Sequence, residues 1–346
     1  MTKILNAGTR AAPQKRATLK SIASHLGVSV STVSRALKSS PDIGQETITL
    51  VKKAAKDVGY IPDLSGIKLR TGRTFNLLYL KAVHPQQDVP DGSVAAQISA
   101  ITTNLADTPY QLQLMAFDPN DEEALPLRRV VEGRLADGVL LDGTRPFDSR
   151  VRYLLEMDMP FVSFGRTEFL TEHPYVDADN EKAAFDAAQY LARSGHRRIA
   201  LIGPPLVFTY ALQRRKGYLK ALELEGLAAD ASLISDEGVS ARRNREIVKR
   251  MLTMPDPPTG FVSTNDSTTL GIMAGLRDAG RIVGRDCDIV SRDFSEFSGY
   301  LNPPLSTCHL DIQKVAATMS EFILKRIDGA PVSELQRVFE CDFVKR

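Results

Sequence analysis

The sequence predicts an α/β chain: an N-terminal three-helix helix-turn-helix headpiece with a hinge, followed by two doubly wound parallel-sheet halves. Three observations predict it. Apolar positions recur at helical spacing between Thr18 and Leu37 and break at Gly27. From Phe75 onward, short apolar runs alternate with amphipathic segments of helix length, the rhythm of βαβ units. The charge is divided, with 13 Lys/Arg against 4 Asp/Glu in residues 1–74 and 31 against 38 beyond, so a net +2 hides a basic front of +9 and an acidic body of −7.

Residues 1–16 read as a disordered basic tail and 17–62 as the headpiece. Leu19, Ile22, Ala23 and Leu26 share one helical face behind Thr18, a suitable N-cap, and Gly27 suits the left-handed position that ends the helix. After the turn at Val28 and Ser29, a second stripe of Val30, Val33, Ala36 and Leu37 leaves Ser31, Thr32, Ser34 and Arg35 facing outward. The first residues of such a helix enter the DNA major groove. Arg35 has the fork to pair with guanine O6 and N7, while Val30 and Ser31 are small enough to approach base edges. The basic front supplies phosphate neutralisation. A third helix is expected over Gln45–Val58, and residues 63–74 form the hinge and linker.

VSVSTVSRAL, the third helix and GYIPDLSGIKL together resemble the headpiece of the LacI/GalR family of bacterial repressors. The resemblance implies a homodimer on double-stranded operator DNA, with a hinge helix that forms on the operator and inserts Leu69, flanked by Lys68, into the minor groove; an inserted aliphatic side chain kinks the duplex. Two departures from the family pattern, Gly66 for alanine and Asp63 for asparagine, are expected to make that helix harder to order, glycine costing ~1 kcal/mol against alanine.

Strands are expected in FNLLYL, YQLQLMAF, DGVLLDG, MPFVSFG, RRIALIG, TGFVST and CDIVS, with helices near 92–106, 121–135, 180–194, 208–225, 241–253, 266–280 and 311–328. Ligands in such sheets bind beyond the carboxyl ends of strands. YVDADNEKAAFDAAQYLARSGHRRIALIGPP, FVSTNDSTTLGIMAGLRDAG and IVSRDF again resemble the LacI/GalR family, in its periplasmic-binding-protein-like core. That resemblance implies residues 75–346 as an effector-binding and dimerisation core, with one subdomain near 75–174 and 311–330 and the other near 175–308 and 333–346. Crossings are expected near 173–176, 306–311 and 328–335. Matched motif by motif, it places effector contacts on Arg214, Asn265 and Asp293, Asp293 being the firmest of the three. On the other subdomain Lys81, Asp142 and Arg166 follow strands, and Phe208, Tyr210 and Phe294 are candidate stacking platforms, since Val239 stands where members of the family place an aromatic residue. Asn265 and Asp266 also suit helix capping, and Arg166 suits a surface ion pair.

Lys81, Arg145, Arg166, Arg214 and Arg292 against Asp142 and Asp293 give the inferred cleft a positive excess. A neutral mono- or disaccharide is the first expectation for the small-molecule effector, an anionic sugar derivative the second and a purine the third, with a protein corepressor as a further alternative. Catalysis is not expected: a phosphate loop, a Gly-x-Ser-x-Gly elbow and a placed carboxylate pair are all missing. Neither a cofactor nor a metal is expected, since His84, His173 and His309 are scattered and Cys287, Cys308 and Cys341 sit in apolar contexts as reduced thiols. Without a secretory apolar core or a membrane-length run, the expected place is the cytoplasm. A solute-binding protein would share the core but would leave the headpiece unexplained. The terminal FVKR carries no leucine heptad, so tetramers through a coiled coil are not expected.

Overall fold

The computed structural model describes residues 17–37, 39–60, 65–82, 92–117, 124–238 and 240–346. The chain divides into two compact units, Met1–Gly72 and Arg73–Arg346.

In the first unit, α1 (Leu19–Leu26) starts at a reciprocal cap: Thr18 Oγ1 accepts from Ser21 N at 3.2 Å and Ser21 Oγ accepts from Thr18 N at 2.9 Å. It stops at Gly27, whose φ of +66° is the left-handed value its position demands. Ser29 Oγ accepts from Thr32 N at 3.0 Å and so caps α2 (Val30–Leu37). With α3 (Gln45–Asp57) these helices bury Ile22, Ala23, Val33, Ala36, Ile48, Val51, Ala54 and Ala55 in one small core. Residues Ser65–Thr71 form α4. This helix falls within the expected hinge; Gly66 lies in its first turn, where backbone amides lack helical partners whatever the side chain. Asp63 lies outside the described residues.

The second unit runs β1 (Asn76–Ala82), α5 (Gly92–Leu105), β2 (Gln111–Phe117), α6 (Leu125–Glu132), β3 (Gly138–Leu141), α7 (Ser149–Glu156), β4 (Phe161–Phe164) and β5 (Tyr175–Ala178). It continues with α8 (Asn180–Arg193), β6 (Ile199–Ile202), α9 (Thr209–Leu224), β7 (Ile234–Ser235), α10 (Ala241–Leu252), β8 (Gly260–Ser263), α11 (Asp266–Asp278), β9 (Asp288–Asp293), β10 (Ser306–His309), α12 (Ile312–Ile327), β11 (Gln336–Phe339) and β12 (Asp342–Val344). The first sheet has the order β11-β5-β4-β3-β1-β2 and the second β12-β10-β9-β8-β6-β7. Every pairing is parallel except β10 with β12. Both sheets have apolar strand centres covered by helices on two faces, as parallel sheets require.

Two of the expected crossings move. Tyr175–Ala178 is a strand of the first sheet, so the chain crosses after Ala178 rather than at 173–176. Gln336–Phe339 pairs with β5 in the same sheet, so the last crossing falls at 340–341 rather than 328–335. Both strands escape a reading by apolar runs, since β5 carries the buried Asp177 and β11 is a half-exposed edge. The second crossing, between β10 and α12, falls at its expected place.

His173, 4% exposed, stacks on Phe161 and lies 3.2 Å through Nε2 from Ser163 Oγ. Burial pushes its pKa down to about 4, with nearby Asp148 opposing. The unfolded chain takes up this proton near pH 6.5 and the folded chain only near 4, so the stability is whole above about 6.5 and lost progressively toward 4. The loss amounts to about 3 kcal/mol. Urea midpoints at pH 7 and 4.5 are expected to fall less steeply with acid in His173→Leu than in the parent; parallel slopes would contradict the assignment. No helix among the described residues is long and apolar enough to cross a membrane.

Candidate functional site

The outward face of α2 presents Ser29, Val30, Ser31 and Arg35 exposed, with Thr32 and Ser34 half-buried. Thr18 and Ser29 already spend their hydroxyls on helix caps. The Arg35 guanidinium meets a partner that sequence reading did not assign, Asp42, at 2.6 Å; both side chains are about half exposed, and such a solvent-screened surface pair is weak, so it yields readily to a stronger acceptor. Ser40, more than Arg35, holds the Asp42 carboxyl below its usual range. On α4, Lys68 is exposed and Leu69 is 89% exposed, an unusual place for leucine.

In the second unit a cavity of about 200 Å³ opens where strand ends of the two sheets face each other. The first sheet contributes Lys81 from the end of β1, Asp142 after β3, Gly165 after β4 and Asp177 from β5. From the second come Thr264 and Asn265 after β8, and Arg292 and Phe294 at and after β9, with Phe208, Tyr210 and Arg214 from the start of α9. Of the residues expected from sequence, Lys81, Asp142, Phe208, Tyr210, Arg214, Asn265 and Phe294 line this space together.

The polar groups are held by neighbours. Lys81 pairs with Asp142. Asp142 sits on a loop fixed by Arg150, which is buried, pairs with Asp148 at 2.6 Å and donates to the carbonyls of Asp142 and Gly143 at 3.2 and 2.9 Å. Gly165 has φ +113°, and a Cβ there would lie 2.3 Å from Thr144 Oγ1, so the strand end needs glycine for both reasons. Asn265 caps α11, its side chain accepting from Thr268 N at 2.8 Å, and also borders the cavity, so the capping and lining readings hold at once. Arg214, 8% exposed, donates through Nε to Asn180 Oδ1 at 3.2 Å and through Nη1 to the Thr264 carbonyl at 3.1 Å. Burial first, and Arg292 second, bring its pKa down to about 10. Phe208 and Tyr210 stack with centroids 5.3 Å apart and planes 9° apart, and Arg214 lies 4.9 Å from the Tyr210 ring.

Two of the expected residues lie outside the lining of the cavity. Asp293 is fully buried and does not line the cavity: it accepts from Ser298 N at 3.2 Å, Ser298 Oγ at 2.5 Å and His309 Nδ1 at 2.8 Å. Successive side chains of a strand point to opposite faces, so Arg292 takes the cavity and Asp293 turns away from it. Asp293→Ala would strand three donors, and is expected to cost about 3 kcal/mol in urea unfolding. An unchanged midpoint would show that the carboxylate is not the clamp described. Arg166 borders a separate cleft and acts from behind, its Nε donating to Asp177 Oδ2 at 2.7 Å. Burial nonetheless raises the Asp177 pKa, with Arg166 opposing. Arg145 does not line the cavity either, and Val239 lies outside the described residues.

Sequence reading missed Gln97, Asp177 and Asn180, and weighed Arg292 only as charge. Asp177 and Asn180 had a signal, a polar residue at a strand end and at the helix start behind it. Gln97 had none: it is buried on α5, accepting from Tyr79 Oη at 2.8 Å. Among the described residues no cluster of His, Cys, Asp and Glu could hold a metal.

Residues 18–63 match the profile of bacterial regulatory proteins of the lacI family, and residues 188–346 that of the periplasmic binding protein-like domain. The HTH-type transcriptional regulator AglR of Rhizobium meliloti (strain 1021) is 30% identical over 322 residues, which cover 91% of this chain and 88% of AglR. The solved transcriptional regulator CelR–cellobiose complex is 27% identical, with a TM-score of 0.69 over 96% of this chain and 99% of its own. The lac repressor dimer bound to operator and an anti-inducer shares the fold, with a TM-score of 0.75 at 22% identity over 96% of this chain and 98% of its own. With a relative of that identity along nearly its whole length, and the headpiece and core each matched, the chain belongs to the lacI family of bacterial regulatory proteins.

Proposed function

We propose that the protein is a cytoplasmic transcriptional repressor that binds a near-palindromic operator as a homodimer and is released by a small carbohydrate or carbohydrate derivative in the cavity between the two sheets. The observation that carries the ligand class is the composition of that cavity. Stacked aromatic rings at Phe208 and Tyr210 suit the apolar face of a sugar ring, and the fixed polar groups of Asp142, Asn180, Arg214 and Asn265 suit its hydroxyls. A hydroxylated ligand also matches buried donors and acceptors that an apolar one would leave unpaired. CelR, a relative along 96% of this chain, was solved with cellobiose, which supports the same class here.

The two units carry the two halves of the mechanism. The headpiece reads base edges with the N-terminal face of α2, and Leu69 is presented for the minor groove. Ligand closing the cavity alters the hinge, and by reciprocity operator lowers ligand affinity by the factor by which ligand lowers operator affinity. Fluorescence anisotropy on a labelled duplex from upstream of the protein's own gene tests this, titrated with neutral and acidic sugars. Salt-dependent binding reversed by one sugar is expected. Binding that no sugar reverses would overturn the carbohydrate reading in favour of a purine or a protein corepressor, and absent binding would overturn the repressor. Arg35→Ala is expected to cost about 1–3 kcal/mol of discrimination at one base pair in the same assay, with affinity for mismatched duplex little changed.

A further inference from the structure

The ionic groups of the cavity do not balance locally. On the first-sheet wall, Asp142 is matched by Lys81 and Asp177 by Arg166 reaching in from behind. On the opposite wall stand Arg214 and Arg292, 8% and 4% exposed, and neither is in an ion pair with a carboxylate among the described residues. The acceptors of Arg214 are neutral, an amide oxygen and a backbone carbonyl. Arg292 donates through Nη1 to the thiol sulfur of Cys341 at 2.8 Å, a weak acceptor, and lies 5.2 Å from the Phe294 ring. Its buried Nε has no hydrogen-bond partner among the described residues. The two arginines sense each other, since Arg292 is the second cause, after burial, of the depressed Arg214 pKa.

Two like charges withdrawn from water in one cavity, with no carboxylate hydrogen-bonded to either among the described residues, are costly unless something bound between them supplies the opposite charge. A guanidinium presents paired N–H groups in the geometry that a carboxylate or phosphate accepts. We propose that the ligand of this cavity is a small sugar bearing an anionic group, a carboxylate or a phosphate, and that Arg292 with Arg214 forms the seat for that group. The inference rests on the carbohydrate reading of the cavity. It makes Arg292 the residue that distinguishes an acidic sugar from its neutral parent, while Phe208 and Tyr210 carry the ring in either case.

Matched pairs decide it. Full-length protein is titrated calorimetrically with glucose, glucuronate and glucose 6-phosphate, and with galactose and galacturonate, and the best ligand is competed with sodium sulfate. One acidic member is expected to bind at least about tenfold more tightly than its neutral parent, with sulfate competing. Arg292→Gln should abolish that preference, the acid and its parent then binding within about twofold of each other, and Arg292→Lys should restore part of it. A neutral sugar that binds as tightly as its acid overturns the anion seat and leaves the carbohydrate reading intact. Should sulfate alone raise the unfolding midpoint, in an Arg292-dependent way, while no sugar binds, the seat stands and the carbohydrate reading fails. If neither sugars nor sulfate bind, both fall. Where Arg292→Gln does not fold, the acid-to-parent ratio of the unaltered protein still decides.

Discussion

Gly217→Ala is expected to lower the unfolding midpoint of the effector core by roughly 10 °C, and Gly217→Val to prevent the core from folding. A Cβ built at Gly217 lies 1.9 Å from the backbone oxygen of Glu181 and 2.8 Å from its carbonyl carbon, far inside any tolerated contact. The obstacle is backbone, so no side chain can swing aside; α9 would have to lift off α8. Overpacking of this kind costs about 3 kcal/mol, and for a core of this size each kcal/mol moves the midpoint by ~2–4 °C. The seam also serves the cavity. Asn180, the first residue of α8, holds Arg214 at 3.2 Å and Gln213 at 3.1 Å, and Lys216 and Lys220 both pair with Glu181. Lifting α9 by the width of a methyl group would therefore carry Arg214 away from its amide partner. Calorimetric scans of the two variants, with ligand affinity measured on Gly217→Ala, check the claim; an unchanged midpoint in Gly217→Ala would mean that the helices are farther apart than described.

The headpiece was legible almost to the residue, because its signals are local. Thr18 and Gly27 mark the ends of α1 by cap chemistry, and the apolar stripes of α1 and α2 repeat at helical spacing. The strand-helix rhythm of the core was legible for the same reason wherever strands are uniformly apolar, as at Gly138–Leu141 and Ile199–Ile202. It failed where a buried element carries charge. Asp177 hides β5, and α7 buries Arg150, an ionic group that no apolar stripe announces but which Asp148 neutralises at the cap. The site shows the same limit. Resemblance located the strand end that matters at β9, but choosing between Arg292 and Asp293 requires the phase of the pleat, and a one-residue change of phase exchanges the cavity for the interior. Gln97 reaches the cavity from α5, bonded to Tyr79 on the strand before it, a tertiary contact that no helical or strand periodicity encodes.

Arg214→Met is expected to abolish the response to ligand while leaving the unliganded protein no less stable than before. The two halves of that expectation come from one fact, the burial of an unmatched guanidinium. Burial and Arg292 depress the Arg214 pKa from 12.5 to about 10, so at neutral pH the folded state carries this charge at a penalty of about 3 kcal/mol relative to the unfolded chain. Methionine removes the penalty and fills much the same volume. It forfeits the bonds to Asn180 Oδ1 and the Thr264 carbonyl, but these border the cavity, where water can replace the lost donors. Ligand has no such substitute. Loss of a buried, charged hydrogen-bond donor weakens binding by about 2–5 kcal/mol, a factor of 100 or more in Kd. Operator binding should survive within a few-fold, because the Met1–Gly72 unit is compact in its own right. Anisotropy on operator duplex with and without ligand reads the first half, and thermal unfolding without ligand reads the second. A variant that still released operator at the parent's ligand concentration would show that Arg214 does not touch the effector. A variant that lost both ligand response and several degrees of stability would make Arg214 a structural residue. Retained or raised stability with lost response is the signature of a group kept for binding at the expense of the fold.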